Sequence, residues 1–377
     1  MNPRSIPLDF LRTLAIFLVF TSHFRIFAKD LWFGRLGDFG WVGVDLFFVL
    51  SGFLISTQLF KEIKKTGAVS FKIFYIRRGF RIWPNYFFVL AIYFLIPAFI
   101  ERGRLAPLWK FLTFTQNFGL DYTATGAFSH AWSLCVEEQF YLILPALLIL
   151  LVPRLHFKRA ILLFLGVIVF EIMLRTVVWQ NWVAELYANE HHKGLSRVFF
   201  REIYYPTYCR LDSLATGTGI AAVVQFCPSL WVRLRNHGNI CLACATLVLT
   251  VSYFIAEDEY GLFAASVGYT ANAVAFGLLL IAAISSNGLL ANFRFRWVTV
   301  GANLAFSFYL THKAMIHLCK GWLANLSLDP GSILYPLFIL TVCLLSSTLL
   351  YFLVEKPFLR WRDRFLHQES LHFSSSN

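Results

Sequence analysis

The chain has 377 residues, of which 58% are hydrophobic and 14% charged, with a formal net charge of +12. Soluble domains carry about 45–50% apolar and about 25% charged residues, so a soluble core cannot absorb this much apolar surface. The basic residues sit in short segments between apolar stretches rather than along one face, which speaks for membrane topology and against a nucleic-acid partner.

In chain order, hydropathy and helix breakers predict about ten membrane spans of the ~20 residues needed to cross a bilayer. They are 6–27, 41–60, 83–100, 136–153, 160–179, 212–228, 239–256, 263–286, 299–321 and 332–354. The first begins almost at once and contains Asp9, Arg12 and His23, so it reads as a retained span rather than a cleavable signal. The stretch 105–131 is too polar and broken to span, and is expected as a partly buried loop or short interfacial helix. An even number of spans puts both termini on one side. That side collects Arg4, the cluster at 61–82, Arg154, Arg159, Arg233, Arg235, Arg294, Arg296 and the basic residues of 356–364, while 257–265 carries Glu257, Asp258 and Glu259 and no base. The positive-inside rule then makes both termini cytoplasmic. The expected fold is an all-α polytopic membrane helical bundle, with one domain over 1–364 and a short polar, disordered tail over 365–377. The seven cysteines fall in or beside apolar spans, so neither disulfides nor a metal site is expected; Cys241 and Cys244 read as small buried hydrophobes.

Ionisable groups inside spans carry the chemistry. Arg12 and His23 are eleven residues apart, close to three turns, and so share a helix face with Asp9. They form either a site or an interfacial ion pair with a histidine at the other mouth. Asp45 opens the second span, and Ser51 with Gly52 makes a small polar notch, for a ligand or for a neighbouring helix. Arg77, Arg78 and Arg81 stand at the mouth of the third span beside Trp83, spaced either to grip phosphate oxygens or to anchor the span at the headgroups. The densest polar run, Ser129 to Tyr141, carries His130, Trp132, Glu137 and Glu138 into the fourth span, where two adjacent carboxylates need partners or serve as a helix cap. Tyr309, His312 and Lys313 interrupt the ninth span as site residues or as interhelical polar contacts.

Six blocks in this order resemble the acyltransferase 3 family of membrane acyltransferases. They are Arg12 with His23, GVDLFFVLSGFLIS at 43–56, Arg78 with Arg81, HAWSLCVEEQFYLILP at 130–145, FSFYLTHKAMI at 306–316 and VEKPFLR at 354–360. Two positions depart from the usual pattern, Ser133-Leu134-Cys135 before the paired glutamates and Lys313 after His312. The resemblance implies a cytosolic acyl-CoA donor, most simply acetyl-CoA, a glycan acceptor across the bilayer, dependence on Arg12, His23, Arg78 and Arg81, and Glu138 in the site region. A one-component enzyme of the bacterial cytoplasmic membrane is expected, because no hydrolase-like segment follows 354. On this map Arg78 and Arg81, with Arg77, hold the CoA phosphates, and His23 serves as general base or acyl carrier. Arg12 orients the donor, since it lies roughly 16 Å along the helix from His23, and Glu137 or Glu138 fixes the imidazole. Asp45, Ser51, His130, Trp132, Tyr309 and His312 form the acceptor-binding set. A transporter or flippase of a polar substrate would use the same inward-facing groups, and a silent scaffold would need none of them.

Overall fold

The computed structural model describes residues 5–28, 32–152, 156–189 and 194–375; Arg4 and Arg154, counted above with the basic side, lie outside them. All regular structure among the described residues is helical. The long helices are α1 Ile6–Ala28, α2 Gly43–Thr66, α3 Phe71–Leu95, α4 Trp132–Leu151, α5 Phe157–Val178, α6 Leu211–Phe226, α7 Gly238–Ile255, α8 Tyr269–Ile284, α9 Val298–Asn325, α10 Leu334–Leu350 and α11 Lys356–Ser375. The last covers most of the stretch expected as a tail.

Among the described residues, seven helical stretches are long and apolar enough to cross a membrane, or eight if α6 and the helix Pro228–Arg235, bent by 111°, make one span. The expectation was about ten at ~20 residues each. The difference from seven lies in α6 and in α3 and α9, which cover most of the predicted spans 83–100 and 299–321 but are not among the seven. The last two are long helices that give positions to Arg77, Arg78, Arg81 and Asn85, or to His312 and Lys313, where a lipid-facing span would carry leucine or valine.

Burial runs opposite to that of a soluble protein. Leu142 and Ile143 on α4, Phe170 and Met173 on α5, Leu247 and Phe254 on α7 and Leu345 and Leu349 on α10 all point outward. Asp45, Glu171, Arg175, Arg210, Asp212 and His312 are fully buried. Apolar side chains outside and ionisable ones inside is the arrangement a hydrocarbon solvent favours, so the protein is integral to a membrane.

Small residues set how closely the central helices approach. A Cβ on Gly52 of α2 would run into the Leu214 carbonyl of α6, and one on Gly217 of α6 would run into the Val49 carbonyl of α2. The notch at Ser51 and Gly52 therefore serves packing through its glycine, while Ser51 turns toward a cavity. Overpacking a close contact costs about 1–3 kcal/mol. Gly52→Val is accordingly expected to lower the thermal midpoint of the detergent-solubilised protein, whereas Gly166→Ala, on α5 with open space around it, leaves the α2–α6 contact intact. A Gly52→Val midpoint equal to wild type would mean that α2 and α6 can separate at no cost.

Candidate active site

Among the described residues, a pair of cavities of ligand size enters the bundle. One, at the Arg12 end of α1, has a volume of about 380 Å³ and brings together Arg12, Gln58, Arg78, Arg81 and Arg362 with Ser51 and Glu137. The other, at the His23 end, has about 420 Å³ and is walled by Trp41, Trp132, Tyr204 and Tyr269 beside His23 and His130. Among the described residues Tyr309 lines both. Its hydroxyl is hydrogen-bonded with Ser133 Oγ at 2.7 Å and donates to the His130 carbonyl.

The Arg12 end is a convergence of guanidinium groups from three helices. Arg12 pairs with Asp9 at 3.1 Å, as i,i+3 spacing allows. Arg78 donates to Gln58 Oε1 at 3.2 Å, and its buried Nε has no partner. Arg362 joins from α11, a residue counted only as topological charge from sequence. Arg77 is on the same helix as Arg78 but lines neither cavity.

Hydrogen bonds assign the tautomers at the His23 end. His312 Nδ1 lies 3.0 Å from the Phe308 carbonyl and 2.9 Å from the Tyr309 carbonyl. Carbonyls only accept, so Nδ1 carries the proton and the neutral ring has its lone pair at Nε2. That nitrogen stands 2.9 Å from His23 Nδ1, which must then donate. His23 Nε2 is left as the unprotonated nitrogen of a ring that lines the cavity. This arrangement corrects the expectation that Glu137 or Glu138 fixes the imidazole, and also that His312 binds substrate directly. Glu137 accepts from Ser51 Oγ at 2.8 Å and Tyr141 at 3.0 Å in the other cavity, and Glu138 accepts from Trp83 Nε1 at 3.0 Å. The carboxylates and His312 enter from different helices, and helical spacing alone could not say which would meet His23.

His130 is held by a locally strained turn. Phe128 precedes it at φ 54°, a left-handed conformation uncommon for a bulky residue. Lys313 Nζ pairs with Glu101 at 2.8 Å and donates to Ser129 Oγ at 2.8 Å, while Glu101 accepts the Phe128 N–H at 3.1 Å. The lysine that departs from the expected pattern is thus an anchor for the turn 126–130. His130 Nε2 points at the Leu310 carbonyl, 3.3 Å away, so it is the protonated nitrogen, and Nδ1 has no partner.

Asp45 lines neither cavity. It accepts from Arg210 Nη2 at 2.8 Å and from Ser213 Oγ at 3.1 Å. Arg210 lies over the rings of Tyr269, Tyr204, Trp132 and Phe48, with centroids 4.3, 5.0, 5.6 and 6.0 Å away. Three of those rings are walls of the His23-end cavity. The network continues through Asp212 to Arg175 at 3.1 Å and Glu171 at 3.2 Å. Sequence reasoning passed over these four residues, although a Glu and an Arg four apart in an apolar span was the signal to follow.

A family model described as an acyltransferase domain matches residues 6–352. The chain belongs to this acyltransferase 3 family. The chain is 27% identical over 337 residues to the peptidoglycan O-acetyltransferase OatA of Listeria monocytogenes, covering 82% of this chain and 49% of that protein. It is 25% identical to a protein of Staphylococcus aureus strain COL provisionally named an O-acetyltransferase, over 97% of this chain and 60% of the relative. It is 32% identical over 230 residues to an uncharacterized protein of Haemophilus influenzae, covering 57% of this chain and 88% of that one. The chain therefore spans about half to three-fifths of the length of these first two relatives. No solved structure matches it.

Proposed function

We propose that this acyltransferase moves an acetyl group from acetyl-CoA, bound at the Arg12 end, to a hydroxyl of a carbohydrate held at the His23 end. The observation that carries the reading is that two cavities of opposite chemical character enter the bundle and share Tyr309 as a wall. Guanidinium forks at one mouth suit the phosphates of CoA, and fixed aromatic walls at the other suit a sugar ring with its polar rim. His23 Nε2 takes the acceptor hydroxyl proton as the oxygen attacks the thioester carbonyl. The C–S bond breaks, and the proton returns to the departing CoA thiolate. The basic mouth faces the cytosol of a bacterial cell, and the acceptor arrives from the other side of the cytoplasmic membrane.

Transfer of radiolabelled acetyl from acetyl-CoA to surface glycan, in membranes with and without the protein, tests the reading. No label in glycan from the wild type would overturn it. Arg78→Lys keeps the charge but loses the fork. A lost charge-assisted hydrogen bond is worth about 1.5–3 kcal/mol, so a KM for acetyl-CoA raised by about ten- to a hundredfold is expected. An unchanged KM would make Arg78 a membrane anchor.

A further inference from the structure

The His23-end cavity contains polar atoms that neither the fold nor the chemistry above uses. Ser252 on α7 is 3% exposed and its Oγ has no hydrogen-bond partner. Asn272 on α8 is 2% exposed and its Oδ1 has none either. Both side chains line the cavity, with Trp41 and Tyr269 beside them in an edge-to-face pair whose centroids are 5.4 Å apart. A serine facing the interior of a helix normally returns its hydroxyl to the carbonyl four residues back, as Ser266 does to Leu262 at 2.6 Å on the neighbouring segment. Ser252 does not. Asn272 likewise stands beside Ala273 and Ala275 on a buried helix, and its amide oxygen has no partner.

Buried polar atoms without partners cost stability, and where they persist in a cavity they stand ready for a ligand's hydrogen bonds. We infer that Ser252 and Asn272, with Trp41 and Tyr269, form a hydroxyl-reading subsite that fixes which ring hydroxyl of the carbohydrate acceptor is presented to His23. The Asn272 amide oxygen accepts from one hydroxyl, the Ser252 hydroxyl pairs with another, and the aromatic rings cover the apolar face of the sugar. The inference rests on the carbohydrate reading of the cavity and goes beyond it by assigning positional specificity to α7 and α8, whereas His23 and the His312 that orients it sit on α1 and α9.

The full-length protein in liposomes is given radiolabelled acetyl-CoA and a set of methyl pyranosides of glucose, galactose, mannose, rhamnose and N-acetylglucosamine. The pyranoside that wild type acetylates best is then compared with its monodeoxy analogues on wild type, Ser252→Ala and Asn272→Ala. Both variants are expected to raise the acceptor KM about three- to tenfold, the worth of one hydrogen bond, with the KM for acetyl-CoA unchanged. Removing an unpartnered hydroxyl should also leave the thermal midpoint of Ser252→Ala equal to or above that of wild type. A structural role predicts the opposite pair of results, a lower midpoint and an unchanged acceptor KM. One deoxy analogue should be poor for wild type yet no worse than its parent for Asn272→Ala, as a double-mutant cycle requires of two groups in contact. Wild-type acceptor KM values in both variants overturn the subsite and leave the acetyl-transfer reading standing. Failure of wild type to acetylate any pyranoside overturns the carbohydrate reading, and the subsite with it.

Discussion

His23→Ala is expected to reduce acetyl transfer by about 10²–10⁴-fold, the usual worth of a positioned general base, with normal insertion and folding. Removing the ring costs the bundle the hydrogen bond to His312 and leaves the aromatic wall and the ion network in place. His312 makes the prediction sharper, because it acts through His23 rather than on substrate. His312→Gln offers an amide oxygen that can still accept from His23 Nδ1, and His312→Phe fills the space without an acceptor. Transfer rates should fall in the order wild type, His312→Gln, His312→Phe, His23→Ala, with the KM for acetyl-CoA unchanged throughout. The readout is initial-rate transfer of radiolabel at matched protein levels. A His23→Ala enzyme with wild-type turnover would remove the base, and His312→Phe outperforming His312→Gln would remove the positioning argument.

The second large effect lies in the ion network. Arg210→Met leaves Asp45 buried with Ser213 as its remaining donor. Breaking a buried pair from one side costs about 3–5 kcal/mol, whereas replacing both members by groups of similar volume is often neutral. Arg210→Met should therefore unfold at a clearly lower temperature in detergent, and Arg210→Met with Asp45→Asn should regain most of the loss. Acceptor affinity should fall in both, because Tyr204, Tyr269 and Trp132 pack against the guanidinium that the variants lack. Equal midpoints for Arg210→Met and wild type would show that the network carries no stability.

Much of this was legible from composition and motif. Apolar length located α1, α2 and most later helices, and the eleven-residue spacing of Arg12 and His23 placed one at each cavity. The pairing of polar residues was not legible. Asp45 and Arg210 are 165 positions apart, and nothing local to either says that α2 and α6 bring them together. Glu137 and Glu138 looked like partners for His23 because carboxylates orient histidines in other enzymes, yet the helix that reaches His23 is α9. Hydropathy also marked spans at 83–100 and 299–321, where α3 and α9 lie, although both helices give positions to the polar residues of the site and are less apolar than the other spans.

Tyr309 has a consequence for the cell as well as for the chemistry. Cavities open from both ends of the bundle and would, if joined, make a conduit for protons and small ions through an energised membrane. The phenol, held by Ser133 and the His130 carbonyl, is where the two approach each other. An acyl chain slipping past one ring can be passed along without a continuous file of water ever connecting the two sides. Under the proposed function, the protein is a doorway for acetyl groups while the membrane around it stays an insulator.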